Sequence, residues 1–346
     1  MCREREIAVV PARWLAVLRI TRLTLALMAA ATSVTPSLGG EPPSAGVWSL
    51  SVDDDIVAGS DRYYTGGFAL AWVPNAQPPP DWAVRVTRSI PWIQGASLIR
   101  PVYALGQGVF TPRDITLANP PLDDRPYAGW LWGAIGLDVE TERQSDQLSL
   151  TVGVVGPASL AEQIQSAIHK VTRSPAPQGW ETQLHDEPGV ALTYQHAWRG
   201  LAAGTLAGLQ FDLLPYVGGA VGNVYTYANA GLTVRWGTGL AGDLGPLRIR
   251  PGPPGSAFFV PASGTAWYVF AGLDGRAVAR NIFLDGNTFR DSRSVDKNPL
   301  VGDLEAGVEI TWQDVRLSYT QVFRTREFRT QGASARFGAL SVSVAY

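Results

Sequence analysis

Residues 304–312 read LEAGVEITW, and their side chains alternate strictly along the chain. The even-numbered residues are apolar, whereas the odd-numbered ones are Glu, Gly, Glu and Thr. Because successive side chains of a β-strand point to opposite faces, this period of two predicts a strand with one apolar face. An opposite face of polar and small residues is typical of the interior of a transmembrane barrel. A soluble sandwich would instead carry most of its large side chains on its inner face.

The same alternation continues through the chain to its last segment, where Leu340, Val342, Val344 and Tyr346 alternate with Ala and Ser. Together with turn residues it predicts about twelve strands, an even number as in bacterial single-chain barrels. The predicted strands are 47–54, 66–73, 101–110, 128–140, 145–155, 187–197, 208–217, 222–236, 265–275, 302–312, 315–324 and 337–346. We therefore predict an all-β fold, a single transmembrane antiparallel β-barrel. The Pro-rich stretches 77–80 and 252–255 are predicted to be turns or loops within it.

Residues 159–170 do not follow the strand pattern. Leu160, Ile164, Ala167 and Ile168 recur at helical spacing after Pro157, which predicts a short helix between the fifth and sixth strands. A helix in that loop must lie at the rim of the barrel or fill its lumen.

The N-terminal forty residues predict a secretory signal peptide, leaving 41–346 as the barrel domain. Several arginines precede an apolar run at 23–31, and small residues follow at 33–40. The apolar run is shorter than the roughly 20 residues that a spanning helix needs. The single cysteine, Cys2, lies in the predicted signal, so the remaining chain has no disulfide and no cysteine chemistry.

Composition argues against a nucleic-acid partner, because 28 basic and 30 acidic residues leave a formal charge of only -2. Charged residues make up 17% of the chain, below the roughly 25% typical of soluble domains. A soluble all-β protein can share this composition, and the alternation described above favours the membrane barrel.

Strand parity places three connections at the same rim. If both termini are periplasmic, the connections after the first, third and fifth predicted strands are extracellular, namely 54–65, 111–127 and 156–186. They are also the segments richest in candidate chemistry, so we expect any site built from them to face the outer leaflet.

The first connection begins within a run of three consecutive carboxylates, Asp53, Asp54 and Asp55. Binding of a hard cation by their oxygen atoms would offset the mutual repulsion of these carboxylates. The alternative is a solvated acidic loop. In the second connection, Arg113 and the Asp124–Arg125 pair indicate either phosphate binding or a brace within the loop.

The third connection contains His169 on the predicted helix, with Gln165 one turn earlier. Histidine is the side chain best suited to taking and returning a proton near neutral pH, although a structural histidine remains an alternative. No serine-hydrolase elbow, zincin helix or nucleotide-binding loop occurs in a plausible context.

These motifs together resemble the outer-membrane lipid A 3'-O-deacylase family over essentially the whole mature chain. The matching residues are Ser51–Asp55, Asp61–Thr65, Gly67, Asp124–Gly129, Gly153–Pro157, His169, Gly179 and Trp180. The resemblance implies a twelve-stranded barrel whose calcium-dependent site near the outer rim removes the acyl chains ester-linked at the 3' position of lipid A. It also implies outer-membrane localisation, with lipid A or lipopolysaccharide as substrate. We expect a monomer.

Carried over by position, the resemblance implies that His169 is the general base and that Asp55 helps to bind the metal. Thr65 matches a hydroxyl position of the site. Asp54 stands where the best-known member has Asn, and it is a candidate both for binding the cation and for assisting polarisation. Pro175 occupies the position nearest to a carboxylate that follows the catalytic histidine in that member.

The resemblance implies that basic residues of the site lie in the second connection, which aligns only loosely. The substrate-binding candidates there are Arg113 and Arg125. We assign Gln165 to the same role. Two other functions remain open. An outer-membrane phospholipase would need a serine nucleophile paired with a histidine, and none is evident. A non-enzymatic pore or structural barrel would use the same polar residues only to line its mouth.

Overall fold

The computed structural model describes residues 45–54, 63–75, 78–93, 95–240 and 257–346, without the side chains of 54 and 63–65. The predicted signal peptide, Asp55 and the predicted loop 252–255 lie outside the described residues. The strands are β1 Gly46–Asp54, β2 Tyr63–Pro74, β3 Leu98–Thr111, β4 Ala128–Glu140, β5 Gln144–Val155, β6 Glu187–Trp198, β7 Ala202–Leu206, β8 Leu209–Gly222, β9 Tyr225–Gly237, β10 Thr265–Asn281, β11 Leu300–Trp312, β12 Val315–Arg324 and β13 Ala335–Ala345. The α-helices are α1 Asp81–Ser89, α2 Ala161–Thr172 and α3 Ile282–Asp285.

The strands form one closed antiparallel barrel, which confirms the predicted fold. β1 pairs with β13, and β6 pairs with β8, so the sheet has no open edge between its first and last strands. β6 and β7 pair with successive parts of the same edge of β8 and act as one interrupted strand. The wall of the barrel is therefore twelve strands wide.

No helix in the described residues is long and apolar enough to cross a membrane.

The two faces of each strand differ as the alternation predicts. On β11, Leu304 and Trp312 are 49% and 59% exposed, whereas Glu305 and Glu309 are buried. The apolar side chains therefore point outward and the carboxylates point into the lumen, which is the arrangement of a barrel surrounded by lipid.

Aromatic side chains surround one end of the barrel, where β1 begins and β13 ends; we call it the terminal end, and its opposite the loop end. Trp48 and Trp72 stack with ring centres 5.8 Å apart, and Trp72 stacks on Tyr103 at 5.5 Å. The Trp72 indole N–H also donates to the Tyr346 hydroxyl at 3.2 Å. Such a girdle is typical of the level at which a barrel wall meets lipid headgroups.

Side chains fill the lumen near both ends. At the loop end, Phe110 and Phe283 stack 3.8 Å apart within an apolar cluster drawn from most of the strands. At the terminal end, Phe258 and Phe259 enter the barrel, where the guanidinium groups of Arg100 and Arg316 lie over their rings.

One helix was not predicted. Residues 77–80 were predicted to be a turn or loop, and α1 begins immediately after them at Asp81. Pro80 precedes the helix and Asp81 lies in its first turn, both of which favour a helix start.

Candidate functional site

The helix that contains His169 lies against the outer wall of the barrel at the loop end. Gln107 and Val109 of β3 share a face with Leu105, whose side chain is 54% exposed on the outside. The Gln107 side-chain N–H donates to the Ser159 carbonyl at 2.6 Å, and Val109 packs in one buried cluster with Ala161 of α2. The predicted helix is therefore confirmed. It lies at the rim of the barrel, which was one of the two predicted positions, and it does not fill the lumen.

A glycine in the wall allows the helix to come this close. A Cβ added to Gly129 of β4 would lie 2.0 Å from the Ser159 hydroxyl oxygen and 2.3 Å from the Ala161 Cβ. Real Cβ atoms do not approach other atoms at these distances, so the loop packs directly on the backbone of β4.

α2 turns its polar stripe inward and its apolar stripe outward. Gln165 and His169, one turn apart, are buried, whereas Leu160, Ile168 and Val171 are 51%, 41% and 54% exposed. A helix on a soluble domain shows the opposite arrangement, with its apolar stripe buried. The helical periodicity was enough to predict α2, but not which of its faces is covered.

The backbone of the following loop orients His169. Its Nδ1 lies 2.6 Å from the Pro175 carbonyl oxygen, which can only accept a hydrogen bond. Nδ1 therefore donates, and in the neutral ring Nε2 is left as the proton acceptor. Pro175 occupies the position nearest to the carboxylate that the resemblance expects, and its carbonyl makes the orienting contact here. No sequence signal distinguishes such a backbone acceptor.

The orientation of the Gln165 amide is fixed in a similar way. Its Oε1 accepts from the Trp180 indole N–H at 2.8 Å, and an indole N–H can only donate. The Gln165 Nε2 group consequently points elsewhere, and it has no hydrogen-bond partner among the described residues although it is buried. A free donor thus lies one helical turn from His169, on the same face of α2.

The acidic end of β1 lies at the same rim. Asp54 is in register with Gly66 of β2, and Gly66 is in register with Val109, which belongs to the cluster beneath α2. Thr65 falls at the irregularity between Tyr64 and Gly66 in this pairing. The structure therefore brings the backbone of Asp54 and Thr65 to the end of the barrel wall against which α2, the helix of His169, packs.

The metal ligands themselves remain predictions, because the side chains of Asp54 and Thr65 and the whole of Asp55 lie outside the described residues. Within the described part of the chain, no group of three His, Cys, Asp or Glu residues can hold a metal ion. The candidate donors at the end of β1 are oxygen atoms, the ligands that calcium prefers. The chemistry of these candidate donors fits the implied ion.

The structure does not bring the two candidate arginines together. Arg113 is exposed, whereas Arg125 is buried inside the barrel, 3.4 Å from the Glu327 carboxylate and above the Phe110 ring. Asp124 accepts from the backbone N–H of both arginines at 2.8 Å, so it braces the loop. Arg125 is thus on the lumen side of the wall, away from His169.

Another carboxylate stabilises the same loop. The hydroxyl and backbone N–H of Thr116 both donate to Asp114 and hold the pKa of its carboxyl below the usual value.

Comparisons with known proteins agree with this architecture. The family model described as outer membrane protein LpxR matches residues 20–346. The solved structure of LpxR from Salmonella typhimurium is similar, with a TM-score of 0.68 at 20% identity, over 87% of this chain and 100% of that chain. This likeness supports the fold.

More distant barrels also match. The β domain of the Bordetella autotransporter BrkA has a TM-score of 0.40 at 10% identity, over 87% of this chain and 99% of that one. The translocator domain of autotransporter NalP from Neisseria meningitidis has a TM-score of 0.35 at 8% identity, over 97% and 100%. No curated protein matches the sequence.

Proposed function

This chain belongs to the family of the outer membrane protein LpxR, and from that premise we propose that it is a calcium-dependent lipid A 3'-O-deacylase. The observation that carries the proposal is the placement of His169. It lies on the outer wall of the barrel, its tautomer is set by the Pro175 carbonyl, and exposed apolar side chains flank it on α2. A proton acceptor at this position suits an ester whose acyl chains lie in the membrane.

The proposed reaction is hydrolysis by an activated water. His169 Nε2 removes a proton from water, and the resulting hydroxide attacks the carbonyl carbon of the 3'-linked ester. The bond from that carbon to the sugar oxygen breaks, and His169 returns the proton to that oxygen. The products are a free fatty acid and a 3'-hydroxyl group. Gln165 Nε2, the free donor on the same helix face, would hydrogen-bond the substrate beside this centre.

Asp54 and Asp55 would hold the calcium ion. When bound, the ion supplies Lewis-acid stabilisation of the negative charge that develops on the ester oxygen.

The surroundings of the site suit the rest of the substrate. Leu160, Ile168 and Val171 offer an apolar surface for acyl chains beside the buried His169. Arg113 is exposed on the neighbouring loop, where its guanidinium can pair with the lipid's phosphate groups. We favour Arg113 over Arg125 in this role because Arg125 lies inside the barrel.

Mass spectrometry of lipid A tests the proposal. Membranes from a Gram-negative host that produces the folded barrel are incubated with calcium or with a chelator. Loss of the 3'-linked acyl group in calcium, and not in chelator, is the expected result. Turnover of phospholipid with unchanged lipid A would point to a phospholipase, and no turnover of either lipid would point to a non-enzymatic barrel.

Replacing Gln165 by leucine is expected to raise KM about tenfold with a smaller change in kcat, as expected for the loss of about 1.4 kcal/mol of hydrogen bonding to the substrate. Steady-state kinetics on purified enzyme and detergent-solubilised lipid A give both constants. The matched control is Gln163→Leu, on the exposed face of α2. Equal KM values for the two variants would remove Gln165 from the substrate site.

Replacing Asp54 by alanine is expected to raise the calcium concentration for half-maximal activity by about tenfold or more, because calcium affinity depends on the number of charged oxygen ligands. A calcium titration of deacylase activity measures this shift. Asp114→Ala, at an exposed carboxylate of the neighbouring loop, is the control and should leave the titration unchanged. An unchanged titration for Asp54→Ala would show that Asp54 is not a ligand.

A further inference from the structure

A second segment lies on the outside of the barrel, at the end opposite to His169. We call α1 with residues 90–93 the collar. Ala83 and Ile93 of the collar are buried against Leu137 and Val139 of β4. These two β4 residues share a face with Ile135, which is 40% exposed on the outer wall. The collar therefore covers the outer wall at the terminal end and does not enter the lumen.

The collar extends across several strands. Its Trp92 indole N–H donates to the Tyr194 hydroxyl of β6 at 2.6 Å, and the two rings meet edge to face. Tyr194 lies on the same face of β6 as Val190 and Leu192, both 44% exposed. Trp92 itself is 60% exposed. The collar thus runs from β4 past β5 to β6, within the aromatic girdle.

A buried carboxylate lies at the same level. Asp146 of β5 is 1% exposed, although it shares the outward face with Leu150 and Val152, which are 42% and 50% exposed. It accepts hydrogen bonds from Tyr194 at 2.5 Å and from His196 at 2.8 Å. A carboxylate on a lipid-facing wall is costly within hydrocarbon, so this network marks the level at which the wall leaves the acyl chains for the headgroups.

The solvent side of the collar is cationic at this level. Arg85 and Arg88 are exposed, and their spacing of three places them on one face of α1, opposite Ala83. Neither arginine forms an ion pair or hydrogen bond within the described part of the chain. Two unpaired guanidinium groups at headgroup level complement the phosphate of an anionic lipid.

We propose that the collar binds the headgroups of anionic phospholipids through Arg85 and Arg88. Barrels of this class turn their termini and short turns toward the periplasm, so the bound lipids belong to the periplasmic leaflet. The apolar side of α1 docks on the wall, Trp92 lies at the interface, and the arginines reach outward to the phosphates. This binding is independent of the proposed deacylase activity.

Native mass spectrometry of the purified barrel with phosphatidylglycerol or phosphatidylethanolamine tests the proposal. The wild type is expected to retain phosphatidylglycerol more strongly than phosphatidylethanolamine. The double variant Arg85→Ala, Arg88→Ala is expected to bind phosphatidylglycerol roughly 25-fold more weakly, since each arginine near a membrane surface contributes about a fivefold factor. Raising the salt concentration before the measurement should weaken wild-type binding as well.

The control variant removes two other exposed arginines, Arg290 and Arg329, which lie in loop-end connections. It should retain phosphatidylglycerol like the wild type. Gel mobility with and without heating shows whether each variant is a folded barrel. Equal retention by the wild type and the Arg85, Arg88 variant, or equal binding of the two lipids by the wild type, would overturn the proposal.

Discussion

Replacing His169 by alanine is expected to lower lipid A deacylation by roughly 10²–10⁴-fold, the usual effect of removing a general base. The large effect is expected because His169 is the only histidine on α2, and its Nε2 is the acceptor that the Pro175 contact leaves available. Mass spectrometry of lipid A over a time course, with equal amounts of folded barrel, measures the loss.

His185→Ala is the matched control for this experiment. His185 lies in the same connection between β5 and β6, and its side chain is exposed. Only the backbone N–H and carbonyl of His185 hydrogen-bond with the Asn287 side chain. Its replacement should leave the rate unchanged. Deacylation by His169→Ala at the rate of His185→Ala would exclude His169 as the base, whatever the fold of the barrel.

The fold could be predicted from the sequence because the barrel imposes a constraint that repeats on every strand. Lipid outside and a polar lumen inside require a period of two, and the 304–312 stretch shows it without interruption. The predicted eleventh strand, 315–324, has the bounds of β12. The predicted sixth strand, 187–197, nearly coincides with β6, but β7 was missed because its five residues, AAGTL, show no alternation of apolar and polar side chains.

The two helices on the outer wall show where periodicity stops being informative. α2 could be predicted as a helix, but the exposure of its apolar stripe could not, because helical spacing alone does not say which stripe is covered. α1 was missed because its helical pattern covers only Asp81–Ser89, close to a Pro-rich turn. For α2 the missing information is what covers each face of the helix, which the sequence of the helix does not contain.

The candidate site was predictable only in part for a related reason. His169 and Gln165 could be chosen from their chemistry and helical spacing. The groups that orient them, the Pro175 carbonyl and the Trp180 indole, become visible only when the loop is folded. Arg125 shows the converse, because it lies in the loop before β4, and the loop conformation that sends its side chain to the lumen cannot be read from an Asp–Arg pair.

Replacing Gly129 by alanine is expected to lower kcat/KM by roughly 10²-fold, the loss associated with a misplacement of about 1 Å in a catalytic group. The added Cβ would overlap Ser159 and Ala161, at 2.0 and 2.3 Å from their nearest atoms. The backbone of β4 is held by its neighbours on both sides, so the loop and the start of α2 must move instead. His169 would move with the helix, away from the acidic end of β1.

Gly133→Ala is the matched control, because Gly133 lies on the same face of β4 and an added Cβ there meets its nearest atom at 3.8 Å. It should keep wild-type activity. Combining Gly129→Ala with Ser159→Gly and Ala161→Gly removes the atoms that collide, so activity should partly return. If Gly129→Ala were as active as Gly133→Ala, close contact between α2 and the wall would not be needed. The site would then have to be formed by residues that do not depend on the position of that helix.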